Sequence, residues 1–511
     1  MLALRNRFKC RFKLSMFKSL PLHLNSRNII LVLNTKTKEY KYPEQRYEGV
    51  YRRKRQNMKP LGIVRRHQVL LPLVLISGFG FYLYILTRHP LIYGIDGPYY
   101  LIQVRSLLES GHLEYGDPPL AFFIFTFFTL LSGGDITLGI RIGVALFSAL
   151  SAVPLYFWIK MVTHSEMSGY IAMLACIFSS PHIRLMNDLL KNTVGAFFLL
   201  CFIYYLHSLA VENGSKRNLL IAVTFLMLTG ATHILDFGIA LLFLILYPIA
   251  ALLIGVNQKD IAKNVGILLL IILLFATAAF LAFPSLFSDF YKGLAFLQDL
   301  FSETSEGPPI QFLLNPMGGA FILPVLVTGT ALSVHEWQLG KKEATLALAT
   351  VTITGVLLSL PFIPTEWLWR FLLMEFIPIS FVIGYSFSKM QTKIATSILL
   401  LLCLFPMILQ AVAMSGTLRP TIEEVDYHEI ESMRDYILPN SVVVGDLRYG
   451  YWVQYITRTD IAKRLSSELW QNYEHVLLLV DKFSAKPPPI PPHSTKIFDG
   501  KRFILYETAS P

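Results

Sequence analysis

The sequence predicts a polytopic α-helical membrane protein with a small α/β domain near its C-terminal end. Two observations predict the helical part: of 511 residues 54% are hydrophobic and only 15% charged, and apolar stretches of membrane-crossing length recur along the chain. A soluble globular protein carries about a quarter charged residues. The third observation is a change of pattern after residue 414, where long apolar runs give way to short strand- and helix-sized segments.

Residues 1–68 hold eighteen Lys/Arg against three Asp/Glu, so the net charge of +11 belongs to this tail and the remainder is slightly acidic. A nucleic-acid-binding face is therefore excluded as the source of the basic pI. The tail has no core pattern and is expected to be disordered and cytoplasmic; Met58 is a second candidate start. The first long apolar run begins near Val69, too deep for a cleaved signal peptide, and reads as a retained anchor. Cys10 lies in the tail, and Cys176, Cys201 and Cys403 lie in apolar runs, which leaves no disulfide framework.

Candidate spans, each near the roughly 17–25 residues needed to cross a bilayer, occur at 69–87, 136–159, 168–183, 193–211, 218–233, 236–255, 265–283, 317–334, 344–362, 368–387 and 394–414. That makes about 11 transmembrane helices. Leu120 to Leu131 is too short, and bounded by Pro118-Pro119 and Gly133-Gly134, so it reads as an interfacial helix. Lys and Arg concentrate in cytoplasmic loops of membrane proteins. The loops carrying Lys160, Lys216/Arg217, Lys259/Lys263, Lys341/Lys342 and Lys389/Lys393 hold nine such residues and the alternate loops three. A cytoplasmic N-terminus agrees with this bias only if Leu120–Leu131 does not span.

The expected organisation is a tail (1–68), a transmembrane domain (69–414) and an extracytoplasmic α/β domain (415–511). In the last, an amphipathic helix is expected at 422–438, strands at Ser441–Gly445 and His475–Val480, a helix near 461–473, and a hairpin at Asp499-Gly500 after a Pro-rich strap. The outward loops carry the distinctive chemistry. Asp96 follows the first span, either as a reactive carboxylate at the membrane surface or as the N-cap of the next helix. Asp188 occupies the next outward loop, suited either to a divalent cation or to an ion pair with Arg184 or Lys191. The loop around Ser302-Glu303-Thr304-Ser305-Glu306 reads alone as ordinary solvated chain. Arg370 and Arg141 begin spans at the same face, where a cation snorkels or finds an anion. His233 and Asp236 form a turn that capping explains.

Together these residues resemble the GT-C class of polytopic glycosyltransferases, nearest to the catalytic subunit of oligosaccharyltransferases. The likeness rests on Asp96, on Asp188, on Thr304-Ser305-Glu306-Gly307-Pro308-Pro309, which is similar to the Ser-Glu-x-x-Pro external-loop motif, on Arg370, and on Val442 to Trp452, which lines up with a strand followed by Trp-Trp-Asp-Tyr-Gly. Asp446-Leu447-Arg448 stands where Trp-Trp-Asp is expected, a departure in the triplet that reads the acceptor sequon. Tyr115-Gly116-Asp117-Pro118-Pro119-Leu120 resembles the Pro-Pro-Leu region of protein mannosyltransferases and lipid A glycosyltransferases.

The resemblance implies transfer of a sugar or oligosaccharide, with inversion, from a polyprenyl phosphate or pyrophosphate carrier to an extracytoplasmic protein or lipid. Asp96 is the expected catalytic base or metal ligand, with Asp188 as a second ligand of Mn²⁺ or Mg²⁺. Arg370, Arg141 and Lys191 are the expected donor-phosphate cations, and Glu306, Tyr449, Tyr451 and Trp452 the acceptor-binding residues. A polyprenyl monophosphate carrying one sugar is the second reading. A transporter or scaffold is the third, disfavoured because the acids lie outside the spans rather than at the membrane midplane.

Overall fold

The computed structural model describes residues 66–211, 215–256, 258–282, 298, 319–360, 363–390, 392, 394, 398, 400–485 and 487–509. The chain divides into Met1–Arg66 and His67–Pro511; residues 1–65, 283–297 and 299–318, the last including Glu306, lie outside the described residues.

Among the described residues, seven helices are long and apolar enough to cross a membrane. The first is α1 (Arg66–Thr87). After it come α2 (Gly97–Ser110) and α3 (Leu120–Leu131), whose bounds match the expected interfacial helix. Its 12 residues extend about 18 Å at the helical rise, well short of a bilayer core. Helix α4 (Ile136–Thr163) spans, and Asp135 caps it by accepting the Leu138 N–H at 2.9 Å.

The expected span at 168–183 is instead two helices, α5 (Glu166–Ile177) and α6 (Ser180–Asp188). The physical reason lies in Pro181: it has no N–H to bond back and its ring would clash with the Ile177 carbonyl of a continuous helix, whereas it fits the first turn of a new one, after the extended Ser179. Helices α7 (Leu190–Val211), α8 (Lys216–Thr232), α9 (Ile234–Ile254) and α10 (Gln258–Ala282) follow. Further along come α11 (Gly319–Gln338), α12 (Lys342–Leu358), α13 (Thr365–Leu373) and α14 (Phe376–Phe387). A π-turn at Leu400–Leu404 leads into α15 (Phe405–Thr417).

The core runs through α4, α7 and α9, with Trp158, Phe202 and Phe243 almost fully buried. The outer faces of α9 and α10 expose Leu252, Leu253, Leu273 and Leu274. Such apolar faces are stable against hydrocarbon rather than water.

The C-terminal domain is a five-stranded sheet in the order β2-β1-β3-β5-β4, with β1 (Ser441–Val444), β2 (Asp460–Ala462), β3 (His475–Asp481), β4 (Thr495–Asp499) and β5 (Phe503–Thr508). Strand β1 pairs in parallel with β2 and β3, and β5 runs antiparallel between β3 and β4. The expected amphipathic helix is α16 (Glu424–Met433), extended by a 3₁₀ turn at Arg434–Tyr436. The helix expected near 461–473 is replaced by β2 and the short α18 (Leu469–Asn472). Ile461 and Ala462 extend the sheet through their pairing with Val443 and Val444, so tertiary pairing overrides local preference. Between β1 and β2 lies α17 (Leu447–Thr457).

The domain sits on the end of the bundle that carries Asp96. Gly94 bridges Pro420 in parallel, Arg88 donates to the Ser415 carbonyl, and Arg105 donates to the Tyr455 carbonyl at 2.5 Å. Helix α17 packs on α2.

Candidate active site

Asp96 occupies the N-cap position of α2, yet its side chain makes no capping hydrogen bond; the Tyr100 N–H bonds to its carbonyl instead, at 3.2 Å. The capping alternative is thereby set aside. Gly94, two residues earlier, has φ +77° and lies so close to the Asn187 carbonyl oxygen that a side chain would collide with it. Only glycine adopts this backbone cheaply, and it brings the Asp96 turn against the end of α6. The two acids expected at one membrane face are thus on neighbouring backbone segments.

Asp188 accepts the Arg184 Nε–H at 2.9 Å on Oδ2 and the Asn187 amide on Oδ1. Of the two readings left open by the sequence, the ion pair with Arg184 is the one found. Among the described residues no group of three or more His, Cys, Asp or Glu converges as a metal site. With both Asp188 oxygens engaged, the described residues do not fit a divalent cation without ligands from elsewhere.

Two expected phosphate cations have other partners. Arg141 directs Nη2 to the carbonyls of His89, Pro90 and Leu91 at 2.6, 2.8 and 2.9 Å, holding the chain just beyond α1. Lys191 forms a buried ion pair with Asp117, their side chains 8% and 4% exposed, and its ammonium lies 5.5 Å from the Phe122 ring centroid. Arg370 differs. Its guanidinium lies 5.4 Å from the ring centroids of both Trp367 and Trp369, its buried Nε makes no hydrogen bond among the described side chains, and no ion pair links it to an acid among those side chains, which do not include that of Glu366. Helix α13, which carries it, packs on α6.

A tyrosine cluster joins the membrane domain to the α/β domain. Tyr99 donates to Asp117 Oδ2 at 2.8 Å and accepts from Gln103 Nε2 at 2.9 Å. It stacks on Tyr115 at 5.6 Å and meets Tyr451 edge-on at 5.4 Å. Tyr115 donates to Gln454 Oε1 at 2.6 Å. Burial, then the Asp117 charge, raises the Tyr99 hydroxyl far above its ordinary range; burial pushes Tyr115 up to about 12. Tyr451 is raised by burial first and then by the charges of Asp96 and Asp117 acting through space.

The other acceptor candidates lie differently. Trp452 is 1% exposed and donates Nε1–H to Thr421 Oγ1 at 2.8 Å. It is a core residue, so the expectation that it faces an acceptor is corrected: a helix turns the residue after Tyr451 by about 100°, into the interior. Tyr449 is buried too, its hydroxyl accepting from Arg502 at 2.8 Å. Sequence reasoning missed the Asp117–Lys191–Tyr99 network, whose one signal was Asp117 beside Pro118-Pro119. His233 caps α9 by accepting the Leu235 N–H at 3.1 Å, as the turn reading expected.

Asp446 caps α17 through the Arg448 N–H at 2.9 Å and pairs with the Arg448 side chain at 2.5 Å. The Arg448 hydrogen bond, more than any other cause, holds this carboxyl below its usual range. Its contribution is therefore present above the unfolded-state value, near pH 4, and disappears as pH falls through the lower folded value. Asp446→Ala is expected to destabilise α17 by about 1 kcal/mol at neutral pH. Hydrogen exchange of the α17 amides in the full chain checks this: the gap between parent and variant should close on acidification, and a pH-independent gap would contradict it.

A bundle of helices with interfacial helices after the first span, and an α/β domain over the same end, is the architecture of the GT-C membrane glycosyltransferases, and solved structures of that fold superpose on most of this chain. Residues 116–283 match the family described as dolichyl-phosphate-mannose-protein mannosyltransferase. The archaeal oligosaccharyltransferase AglB from Archaeoglobus fulgidus, solved with an inhibitory peptide and a dolichol-phosphate, aligns with 81% of this chain and 69% of its own at 12% identity and a TM-score of 0.57. ArnT from Cupriavidus metallidurans in the apo state aligns with 86% of this chain and 98% of its own at 12% identity and a TM-score of 0.55. The A. fulgidus enzyme has also been solved with Zn and sulfate, aligning with 79% of this chain and 67% of its own at 13% identity and a TM-score of 0.55. No curated protein matches the sequence.

Proposed function

We propose that the protein transfers a sugar or oligosaccharide from a polyprenyl phosphate or pyrophosphate carrier to an extracytoplasmic protein or lipid, with inversion at the anomeric carbon. The observation that carries the reading is the setting of Asp96: a carboxylate not used as a cap, on a turn whose Gly94 is seated against the Asn187-Asp188 backbone, with its charge acting on Tyr451 of the α/β domain. The neighbours solved with dolichol-phosphate and with undecaprenyl phosphate support a lipid-linked donor.

In this reading Asp96 accepts the proton of the attacking acceptor group. Polyprenyl phosphate departs with its charge developed, so little acid assistance is needed at the leaving oxygen. Arg370 stabilises that charge through charge-assisted hydrogen bonds, and Tyr451 borders the acceptor. Lys191 and Arg141 act structurally, through Asp117 and the carbonyls beyond α1. Mn²⁺ or Mg²⁺ binding would require Glu306 or another ligand outside the described residues, so no step depends on it. The uneven distribution of lysine across the loops supports a cytoplasmic N-terminus and an extracytoplasmic α/β domain in the cell membrane. The mannosyltransferase family match favours one second reading, a polyprenyl monophosphate carrying a single sugar; identifying the spent carrier separates the two.

The full chain in nanodiscs, given a lipid-extract pool, should consume lipid-linked sugar. Arg370→Gln is expected to raise the donor concentration for half-maximal rate by about tenfold, with a smaller change in kcat. A parent protein that consumes no lipid-linked sugar from any extract, or an unchanged donor dependence in the variant, would sink the respective claim.

A further inference from the structure

The α/β domain contains a pocket of about 390 Å³, separate from the Asp96 site. It lies outside the carboxyl ends of the three parallel strands: Asp446 follows β1, Lys463 and Arg464 follow β2, and Asp481 ends β3. The chain leaves β1 toward β2 on one side, and β3 then pairs on the other side of β1. In open α/β sheets this divergence opens a crevice where ligands bind. Tyr449 lines the pocket, whereas Tyr451 meets Tyr99. Residues two apart on a helix point about 200° apart, so α17 stands between the pocket and Asp96.

The charges in the wall are not balanced evenly. Asp446 is paired with Arg448 and Asp481 with Arg502 at 3.4 Å. Lys463 and Arg464 make no direct ion pair among the described residues, Lys463 acting on Asp446 only through space, so each acid is paired with an arginine and two cations stand without a direct partner. Leu465, Leu479 and Pro488 supply apolar wall beside them. Ligand pockets of this size combine apolar lining with a few placed polar groups.

We propose that this pocket binds an organic oxyanion, a phosphate or carboxylate carried on an apolar body, with Lys463 and Arg464 holding the charge. The site does not depend on the transfer reaction. The ligand is either a group borne by the acceptor or a free small molecule, and the shared chemistry is the same.

The test titrates the full chain in nanodiscs with benzyl phosphate by calorimetry, with inorganic phosphate beside it. Benzyl phosphate should bind more tightly than phosphate because the apolar wall adds contacts. The double variant Lys463→Ala/Arg464→Ala should lose about tenfold or more in affinity, while Lys482→Ala, a cation paired with Asp499 at 2.6 Å, should retain it. Melting curves confirm that the variants fold. Benzyl phosphate competing with the acceptor in the transfer assay identifies an acceptor-borne group; binding without competition identifies a free ligand. No binding at millimolar benzyl phosphate, or equal binding by parent and double variant, overturns the proposal.

Discussion

Asp96→Asn is expected to lower the rate of sugar transfer by about a thousandfold, within the range that a positioned general base contributes. Asparagine keeps the shape of the side chain and can still occupy an N-cap, but it cannot take a proton. Because the Asp96 carboxylate does not cap α2, the substitution should leave the helix N-terminus formed. The readout is consumption of lipid-linked sugar by purified parent and variant, with circular dichroism as the folding control. A variant as active as the parent removes Asp96 from the chemistry, whatever the reaction proves to be.

Lys191→Met is expected to destabilise the protein by about 3–5 kcal/mol, the usual cost of removing one partner from a buried ion pair. Two acids feel the loss. Asp117 keeps its Tyr99 hydrogen bond but loses the Lys191 ammonium. Asp236 is fully buried beside Gly195, with the His233 Nδ1 3.8 Å away, and Lys191 acts on it through space. Adding Asp117→Asn should recover much of the stability, since it removes the stranded charge while preserving an acceptor for Tyr99. Thermal unfolding of both single variants and the double variant completes the cycle. Additive effects would show that the pair is not coupled.

The spans and the carboxylates at their ends were legible because hydropathy and loop charge are local properties. Leu120–Leu131 was readable as a non-spanning helix from its own length and flanking prolines. The break between α5 and α6 was present in Ser179-Ser180-Pro181, but a window averaged over a span length conceals it. The partners of Lys191 and Arg141 were not legible, since Asp117 lies 74 residues from Lys191 and no local pattern announces such a pairing. In the α/β domain the apolar strands stood out, whereas β2, three residues long, exists because β1 offers it an edge. Trp452 was read as surface by its place in a motif, while its position on α17 makes it core.

The segments that seat the Asp96 turn come from far apart in the chain: Arg88 and Ser415, which it bonds, are separated by 327 residues, and Gly94 pairs with Pro420. Ribosomes add about 5–20 residues per second, so the loop leaves the exit tunnel long before its support is made. Through most of translation the chain carries an Asp96 turn that is still unsupported. A transcript ending before codon 420 therefore yields a product in which that turn never settles, however well its early helices assemble.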